Sequence, residues 1–281
     1  MKRFAITLGI IFAFVAGSFA QDLISVNDLA KELKNPEYIV VSGEVETEYA
    51  KVHITGAVNV SYKAFFKPGA VEGLLVSDAE IMKILGDAGI SESNTVVLYD
   101  EGSMKYAGRL YFLLKYMGAP KVKILDGGLE AWKAGRKPVT KNPSNVAKTT
   151  FNGKPNKALL VAAADVKAAK GNKDIVLVDS REAGEFKGVE NKSPGHIPGS
   201  VNLDHTTLLD AKHLLKPKAE LEKTLNGLGI TKDKNIILYC STGVRASKEY
   251  FVLVSYLGYS KVKVYDNGLN EWKDLNNEIT K

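Results

Sequence analysis

The chain of 281 residues contains two copies of one pattern, displaced from each other by 140 residues. At this displacement its two tryptophans coincide, Trp132 with Trp272. The segments 53–59 (HITGAVN) and 196–202 (HIPGSVN) match at a displacement of 143, so the second copy carries a small insertion. Self-similarity of this extent indicates a tandem duplication, and the chain must therefore fold as two versions of one domain.

Both copies alternate between apolar, β-branched runs and segments of helical character. In the second copy the runs predict four strands, at residues 175–178, 201–203, 236–239 and 261–265. Residues 246–257 are helical in character, and Gly258 follows them as a typical helix end. Such alternation predicts an α/β fold, in which each copy forms a parallel β-sheet flanked by helices.

The ends of the two copies set the domain boundaries. The chain begins with Met-Lys-Arg, an apolar run over residues 4–15 and small residues up to Ala20, a pattern typical of a secretory signal. A short membrane anchor is the alternative, but the run is shorter than the about 20 apolar residues of a typical span. We therefore expect residues 1–20 to be removed and the protein to be exported, either to the periplasm or out of the cell. We assign residues 22–138 and 158–281 to the two domains, and the proline-containing stretch 139–157 to a linker.

The charge of the chain bounds its partners. Loss of residues 1–20 removes two positive charges, which changes the net charge from +6 to +4. This charge is mild, and the lysines are scattered rather than clustered with aromatic residues, which argues against nucleic acid as a partner. It is compatible with a small anionic substrate. We expect no stable membrane association after signal removal, and a monomer.

Cys240 is the only cysteine, and its position favours reactivity over the alternative of an inert buried thiol. It directly follows the predicted strand 236–239 and precedes a predicted helix. Ligands bind at this edge of a parallel sheet, where loop N–H groups and a helix N-terminus favour a thiolate. Gly243 suits a tight loop, and Arg245 adds a positive charge. In the first copy this position is Asp100, which carries no thiol.

Four motifs follow one another in the second copy: Asp179-Ser-Arg181, residues 195–202 (GHIPGSVN), the loop 240–245 (CSTGVR) and residues 266–272 (DNGLNEW). The first copy carries degraded versions of the same motifs. On these motifs the chain resembles a known family, the tandem-domain rhodaneses, which are thiosulfate or 3-mercaptopyruvate sulfurtransferases.

The resemblance implies a double-displacement reaction at Cys240 without a cofactor. The thiolate takes the outer sulfur of a small anionic donor such as thiosulfate, and cyanide or a thiol then removes that sulfur from the persulfide. Arg245 is implied to help hold the donor's charge. The backbone N–H groups of the loop are implied to stabilise the persulfide, which makes four further residues candidates for substrate binding: Ser241, Thr242, Gly243 and Val244. The first copy, with Asp100, is implied to be a scaffold that walls the cleft.

The sequence departs from the family pattern at the donor site. The tandem enzymes carry a Gly-Arg-aromatic triplet there, whereas this chain has Gly184-Glu185-Phe186. We expect Glu185 to pair with Arg181, four residues earlier, and Lys187 or Lys192 to supply the missing charge. The loop CSTGVR matches neither the mercaptopyruvate type (CGSGVT) nor the thiosulfate type (CRKGVT).

Thiosulfate is the predicted donor, because the extra cation of the loop suits a dianion. The alternatives are 3-mercaptopyruvate and a non-catalytic persulfide carrier that serves a partner protein. A cysteine phosphatase is disfavoured, because its arginine would fall one residue later, at Ala246. The histidines show no metal-ligand spacing, so no metal is assigned. His53 and His196 occupy matching positions, for which we expect a structural role.

Overall fold

The computed structural model describes residues 22–190 and 193–281. The predicted signal, residues 1–20, and Lys192 lie outside the described residues. Within these ranges no helix is long and apolar enough to cross a membrane.

The first domain is built on a parallel sheet of five strands in the order β1-β6-β5-β2-β4. A short antiparallel pair, β3 with β7, ties the stretch after the last helix of this domain back to it. The elements in chain order are β1 (Leu23–Ile24), α1 (Val26–Glu32), β2 (Tyr38–Ser42), α2 (Glu46–Tyr49), β3 (His53–Ile54), β4 (Val58–Asn59), α3 (Asp78–Asp87), β5 (Thr95–Tyr99), α4 (Lys105–Tyr116), β6 (Val122–Leu125), α5 (Gly128–Ala134) and β7 (Val139–Thr140).

The second domain repeats this plan with four parallel strands in the order β11-β10-β8-β9. All four predicted strands are present, each within a residue or two of the expected ends, and the predicted architecture is confirmed. The elements are α6 (Ala163–Ala169), β8 (Ile175–Asp179), α7 (Ala183–Phe186), β9 (Val201–Asn202), α8 (Lys218–Gly227), β10 (Asn235–Tyr239), α9 (Val244–Tyr250), β11 (Val262–Val264) and α10 (Gly268–Asp274).

The matching histidines have the expected structural role. Nδ1 of His53 lies 2.8 Å from the carbonyl oxygen of Tyr49, and its ring stacks on the Tyr49 ring. His196 repeats both contacts with Phe186, at 2.9 Å and with stacked rings. Each histidine therefore fastens the chain that leaves a short helix, α2 or α7, in front of the next strand.

Helices α4 and α9 form the centre of the contact between the domains. A Cβ added to Gly108 would lie 2.6 Å from the Cα of Lys248, so the two backbones meet at a position that only glycine permits. One turn farther along both helices, the rings of Tyr111 and Phe251 pack edge to face at 4.9 Å. Because both contacts advance in the same direction, the helices run parallel. The loops that precede them therefore lie at the same end of the molecule.

The two copies differ by one residue in the loop before these helices. In the first copy the left-handed residue that precedes the helix is Met104, four residues after Asp100. In the second copy it is Gly243, three residues after Cys240. The missing residue is regained within the helix, because α9 continues as a π-helical segment, Phe251–Tyr256, which accommodates one extra residue. The loop after Cys240 is thus one residue shorter than the loop after Asp100, while the elements that follow keep their spacing.

A buried ion pair joins the domains beside this contact. The guanidinium of Arg109, on α4, donates to both carboxylate oxygens of Asp266, and its Nη2 to Oδ2 distance is 2.9 Å. Both side chains are almost completely buried. Nη1 of Arg109 also lies 3.4 Å from the hydroxyl of Ser247, on α9. Asp266 follows β11, so the pair links the centre of the interface to the carboxyl edge of the second sheet.

We predict that Arg109→Met lowers the free energy of unfolding by about 3–5 kcal/mol, because it leaves the Asp266 carboxylate buried without its partner. The double variant Arg109→Met with Asp266→Leu should regain a large part of this loss, since no buried charge then remains. Denaturant unfolding measures both. The control is Lys133→Met, which removes an exposed ion pair with Glu130 and should hardly change stability. Equal stability of Arg109→Met and the control would contradict the assignment.

Candidate active site

Cys240 lies at the carboxyl end of β10, in the middle of the second sheet. Its neighbour Tyr239 pairs in register with Asp179 at the end of β8, so residues from two strands meet at this edge. Cys240 is 1% exposed, between the sheet and the loop that leads into α9. The sequence prediction that the thiol follows a strand and precedes a helix is thus met.

Two glycines set the shape of the loop. Gly243 has a φ of 78° at the N-cap of α9, and a Cβ there would collide with Asp266. Gly268 has a φ of 60°, and a Cβ there would lie 2.8 Å from the carbonyl oxygen of Ser241. The amide of Leu269 donates to the carbonyl oxygen of Cys240 at 2.8 Å. The first turn of α10 therefore fixes the backbone of Cys240 through this hydrogen bond.

Glu185 pairs with Arg245, not with Arg181. The carboxylate of Glu185 accepts from both terminal nitrogens of Arg245, and Nη2 of Arg245 also lies 3.2 Å from the hydroxyl of Ser241. Burial acts to lower the pKa of Arg245, but the charges of a Cys240 thiolate and of Glu185 raise it above its ordinary value. The expected pairing of Glu185 with Arg181 is therefore wrong.

Arg181 is unavailable because its own partners surround it. Its Nε lies 2.9 Å from Oδ1 of Asp179, and its Nη2 lies 2.7 Å from the carbonyl oxygen of Gly195. The hydroxyl of Ser193 accepts from Nη1 at 2.9 Å. The Asp-Ser-Arg motif thus braces the segment that leads into the Gly-His-Ile-Pro turn, and Glu185 is left to face the catalytic loop.

The first copy shows what this kind of loop binds. Asp100 is completely buried, and its carboxylate accepts four backbone N–H groups of its own loop and helix. Oδ1 accepts from Gly102 and Met104, each at 3.0 Å, and Oδ2 accepts from Tyr106 at 2.9 Å and Ala107 at 3.2 Å. Burial, aided by Glu101, raises the pKa of Asp100 to about 6 although these N–H groups act in the opposite direction. The first loop is therefore an anion cradle filled by its own side chain.

The second copy keeps the cradle without the carboxylate. Counted back from the helices, the positions of Met104, Tyr106 and Ala107 correspond to Gly243, Arg245 and Ala246. Among the backbone hydrogen bonds of residues 22–190 and 193–281, none uses the N–H group of a residue in the range 241–246 as donor. By this correspondence we expect these groups to face Cys240 as their counterparts face Asp100. A carboxylate oxygen stands two bonds from Cβ, as does the outer sulfur of a cysteine persulfide.

Each domain covers the loop of the other. A Cβ on Gly73, in the first domain, would lie 2.6 Å from Cβ of Thr242, and Nδ2 of Asn270 donates to the carbonyl oxygen of Glu72 at 3.0 Å. In return, the second domain places His213 against Gly102 of the first loop. The expectation that the first domain walls the cleft of the second agrees with these contacts.

The remaining predicted site residues divide into two groups. Ser241 and Thr242 lie in the loop itself, and Val244 is the first residue of α9. Lys187 caps the end of α7 with an exposed side chain, and within the described ranges none of its side-chain atoms takes part in a hydrogen bond or ion pair with the loop.

Several polar residues of this region were missed by the sequence analysis. Lys248 is buried, its Nζ donates to the carbonyl oxygen of His205 at 2.7 Å, and burial lowers its pKa to about 8. Glu249 is also buried, where it accepts from the hydroxyl of Ser180 at 2.6 Å, and burial raises its pKa well above the ordinary value. The signal was a pair of charges, Lys248 and Glu249, within an otherwise apolar helix.

We predict that Asp100→Ala lowers the free energy of unfolding by about 3–5 kcal/mol, because four buried N–H groups lose their acceptor. Thermal or denaturant unfolding measures the loss. Asp87→Ala is the matched control, since Asp87 is a well-exposed carboxylate at the end of α3, and it should leave the midpoint almost unchanged. A midpoint for Asp100→Ala equal to that of the control would show that the carboxylate does not hold the loop.

The rhodanese-like domain family matches the chain twice, over residues 25–135 and 162–275. The chain is 32% identical over 258 residues to the thiosulfate sulfurtransferase of Pseudomonas aeruginosa. The match covers 89% of this chain and 93% of that protein. It is 30% identical over 274 residues to the sulfur carrier protein TtuD of Thermus thermophilus, with 90% and 94% covered.

Among solved structures, the chain resembles SseA of Escherichia coli, described as a 3-mercaptopyruvate sulfotransferase with the rhodanese fold. The TM-score is 0.81 at 28% identity, and the match covers 88% of this chain and 98% of that one.

Proposed function

The chain belongs to the rhodanese family, and we propose that it is a sulfurtransferase that moves sulfane sulfur from thiosulfate to cyanide or a thiol through a persulfide on Cys240. Transfer or carriage of sulfur is common to the relatives named above, whose substrates differ. The proposal is supported by the loop that follows Cys240, whose N–H groups at residues 241–246 have no backbone acceptor among the described residues.

The first step is the attack of the Cys240 thiolate on the outer sulfur of thiosulfate. The S–S bond of the donor breaks, sulfite leaves with its electron pair, and a cysteine persulfide anion remains. Total charge is the same on both sides. The outer sulfur then lies where the Asp100 carboxylate oxygens lie in the first copy. There the N–H groups of Gly243, Arg245 and Ala246 stabilise it without any rearrangement of the loop.

The second step returns the enzyme to its starting state. Cyanide attacks the outer sulfur, thiocyanate leaves, and the electron pair of the broken S–S bond returns to Cys240 as thiolate. A thiol acceptor takes the same sulfur as its own persulfide. Because the donor leaves as sulfite before the acceptor reacts, ping-pong kinetics follow.

Arg245 has a different part in this account from the one implied by the family pattern. Its charge is paired with Glu185, so its first role is to position the loop through the carboxylate and the hydroxyl of Ser241. The cation thought to favour a dianionic donor is thereby largely neutralised. The preference for thiosulfate rests on the named relatives rather than on this residue.

The reading as a persulfide carrier for a partner protein is the second candidate, favoured by the likeness to a sulfur carrier protein. The chemistry at Cys240 is the same in both. Only the acceptor differs, and turnover with small acceptors distinguishes them.

We predict that thiosulfate adds one sulfur atom to the protein, that cyanide removes it, and that Cys240→Ser abolishes the addition. Intact-mass spectrometry measures each state, and the absence of any other cysteine makes the assignment direct. 3-Mercaptopyruvate serves as the second donor. Sulfur gained only from mercaptopyruvate would overturn the choice of thiosulfate. No sulfur from either donor would overturn the enzymatic proposal.

We also predict that Glu185→Gln lowers the KM for thiosulfate by about threefold to tenfold, because it frees the charge of Arg245 for the donor. The variant should also unfold at a lower temperature, since Arg245 loses its buried partner. Steady-state kinetics and thermal unfolding measure the two effects. The control is Glu48→Gln, at the corresponding position of the first copy, where the carboxylate pairs with an exposed lysine. A higher KM in Glu185→Gln would mean that the carboxylate is needed to hold Arg245 in place.

A further inference from the structure

The positive charges close to Cys240 are already occupied. Arg245 is paired with Glu185, and Arg181 is enclosed by Asp179 and the carbonyl oxygen of Gly195. Across the interface, Arg109 is bound to Asp266. An anionic sulfur donor therefore approaches a thiol whose neighbouring guanidinium groups each have a carboxylate partner.

Three further basic residues of the second domain, among those that the structure describes, do not fill this gap. Burial, together with the nearby charge of Lys248, lowers the pKa of His205 to about 3, so His205 is neutral at physiological pH. Lys248 itself is buried, and its Nζ donates to the carbonyl oxygen of His205. Lys187 is exposed at the end of α7.

Lys105 of the first domain is placed differently. It is the first residue of α4, and because α4 and α9 run parallel, it lies at the same end of the interface as the Cys240 loop. Its side chain is partly buried, with Nζ 4.8 Å from the centre of the Tyr106 ring. No ion pair within 22–190 and 193–281 includes Lys105.

Electrostatics connect this lysine to the second domain. The charges of Arg245 and Lys105 both act on the imidazole of His205, in the same direction as its burial. His205 is 6% exposed, and its Nδ1 is buried without a hydrogen-bond partner among the described residues. On the other side of this ring, Nε2 lies 3.9 Å from the carboxylate of Glu182, beyond hydrogen-bond distance. Gly108 meets Lys248, so Lys105 and Arg245, each three residues earlier on its own helix, occupy matching positions at the loop end of the interface.

We propose that Lys105, from the non-catalytic domain, supplies the positive charge that brings an anionic sulfur donor to Cys240. The identity of the donor rests on the proposed function, whereas the positive charge at this place does not depend on it. It gives the first domain a direct part in donor binding and takes the role that the sequence analysis assigned to Lys187 or Lys192.

The test compares the alkylation of Cys240 by two reagents that differ in charge, anionic iodoacetate and neutral iodoacetamide. The protein is first freed of sulfur with cyanide, and intact mass gives both rate constants for the only cysteine. We expect Lys105→Gln to lower the ratio of the iodoacetate rate to the iodoacetamide rate by about threefold to tenfold, and Lys105→Arg to retain it. Added salt should reduce the difference between Lys105→Gln and the unsubstituted protein.

Two controls make the result specific. Lys121→Gln removes an equal charge from an exposed position before β6 and should leave the ratio unchanged. Lys187→Gln tests the rival cation. An unchanged ratio in Lys105→Gln, or a loss in Lys187→Gln alone, would overturn the inference.

The alkylation ratio needs no sulfur transfer, so it separates this inference from the proposed function. If the protein also forms the persulfide, Lys105→Gln should raise the KM for thiosulfate with little change in kcat, as expected for a group that binds the donor before and during the reaction. A protein that forms no persulfide but shows the expected ratio would refute the proposed function and support the role of Lys105.

Discussion

The parallel packing of α4 against α9 determines how the two domains and their loops lie relative to each other. Its tightest point is Gly108, where one helix backbone lies directly on Lys248 of the other, and any side chain would separate them. Parallel packing places both loop ends on one side, so the filled cradle of the first copy lies near the open cradle of the second. The buried pair of Arg109 with Asp266 lies beside this contact, and Asp266 packs against Gly243 of the Cys240 loop.

The two copies use the same strand–loop–helix arrangement of backbone N–H groups in two different ways. In both copies a strand ends, a short loop turns, and N–H groups converge ahead of a parallel helix. In the first copy the carboxylate of Asp100 fills the cradle and accepts its four N–H groups. In the second copy Cys240 carries no acceptor atom two bonds from Cβ, and we expect the outer sulfur of a persulfide to take the place of the carboxylate oxygen. The one-residue shortening of the second loop, balanced by the π-helical segment, belongs to this second use.

Much of this arrangement was open to prediction from the sequence, and the reasons for success and failure are physical. The duplicated motifs and apolar runs predicted two parallel sheets and placed Cys240 between strand and helix, because these features depend on local pattern. The pairing of Glu185 was predicted wrongly, because spacing along a helix made Arg181 the nearest candidate while Asp179 and Gly195 already held it. The parts of Arg109 and Lys105 could not be predicted, since they depend on how one domain packs on the other. The acidic start of the first loop also concealed that its N–H groups form an anion cradle.

We infer that the Asp100 carboxylate marks the place that the transferred sulfur takes in the second copy. The most direct measurement is a crystal structure of the protein after incubation with thiosulfate, with the added sulfur located by its anomalous scattering. We expect the outer sulfur on Cys240 to lie within about 3.5 Å of the backbone nitrogens of Arg245 and Ala246, since a hydrogen bond to sulfur is longer than one to oxygen. A sulfur that points away from these nitrogens into the cleft, with the N–H groups bound to water, would contradict it.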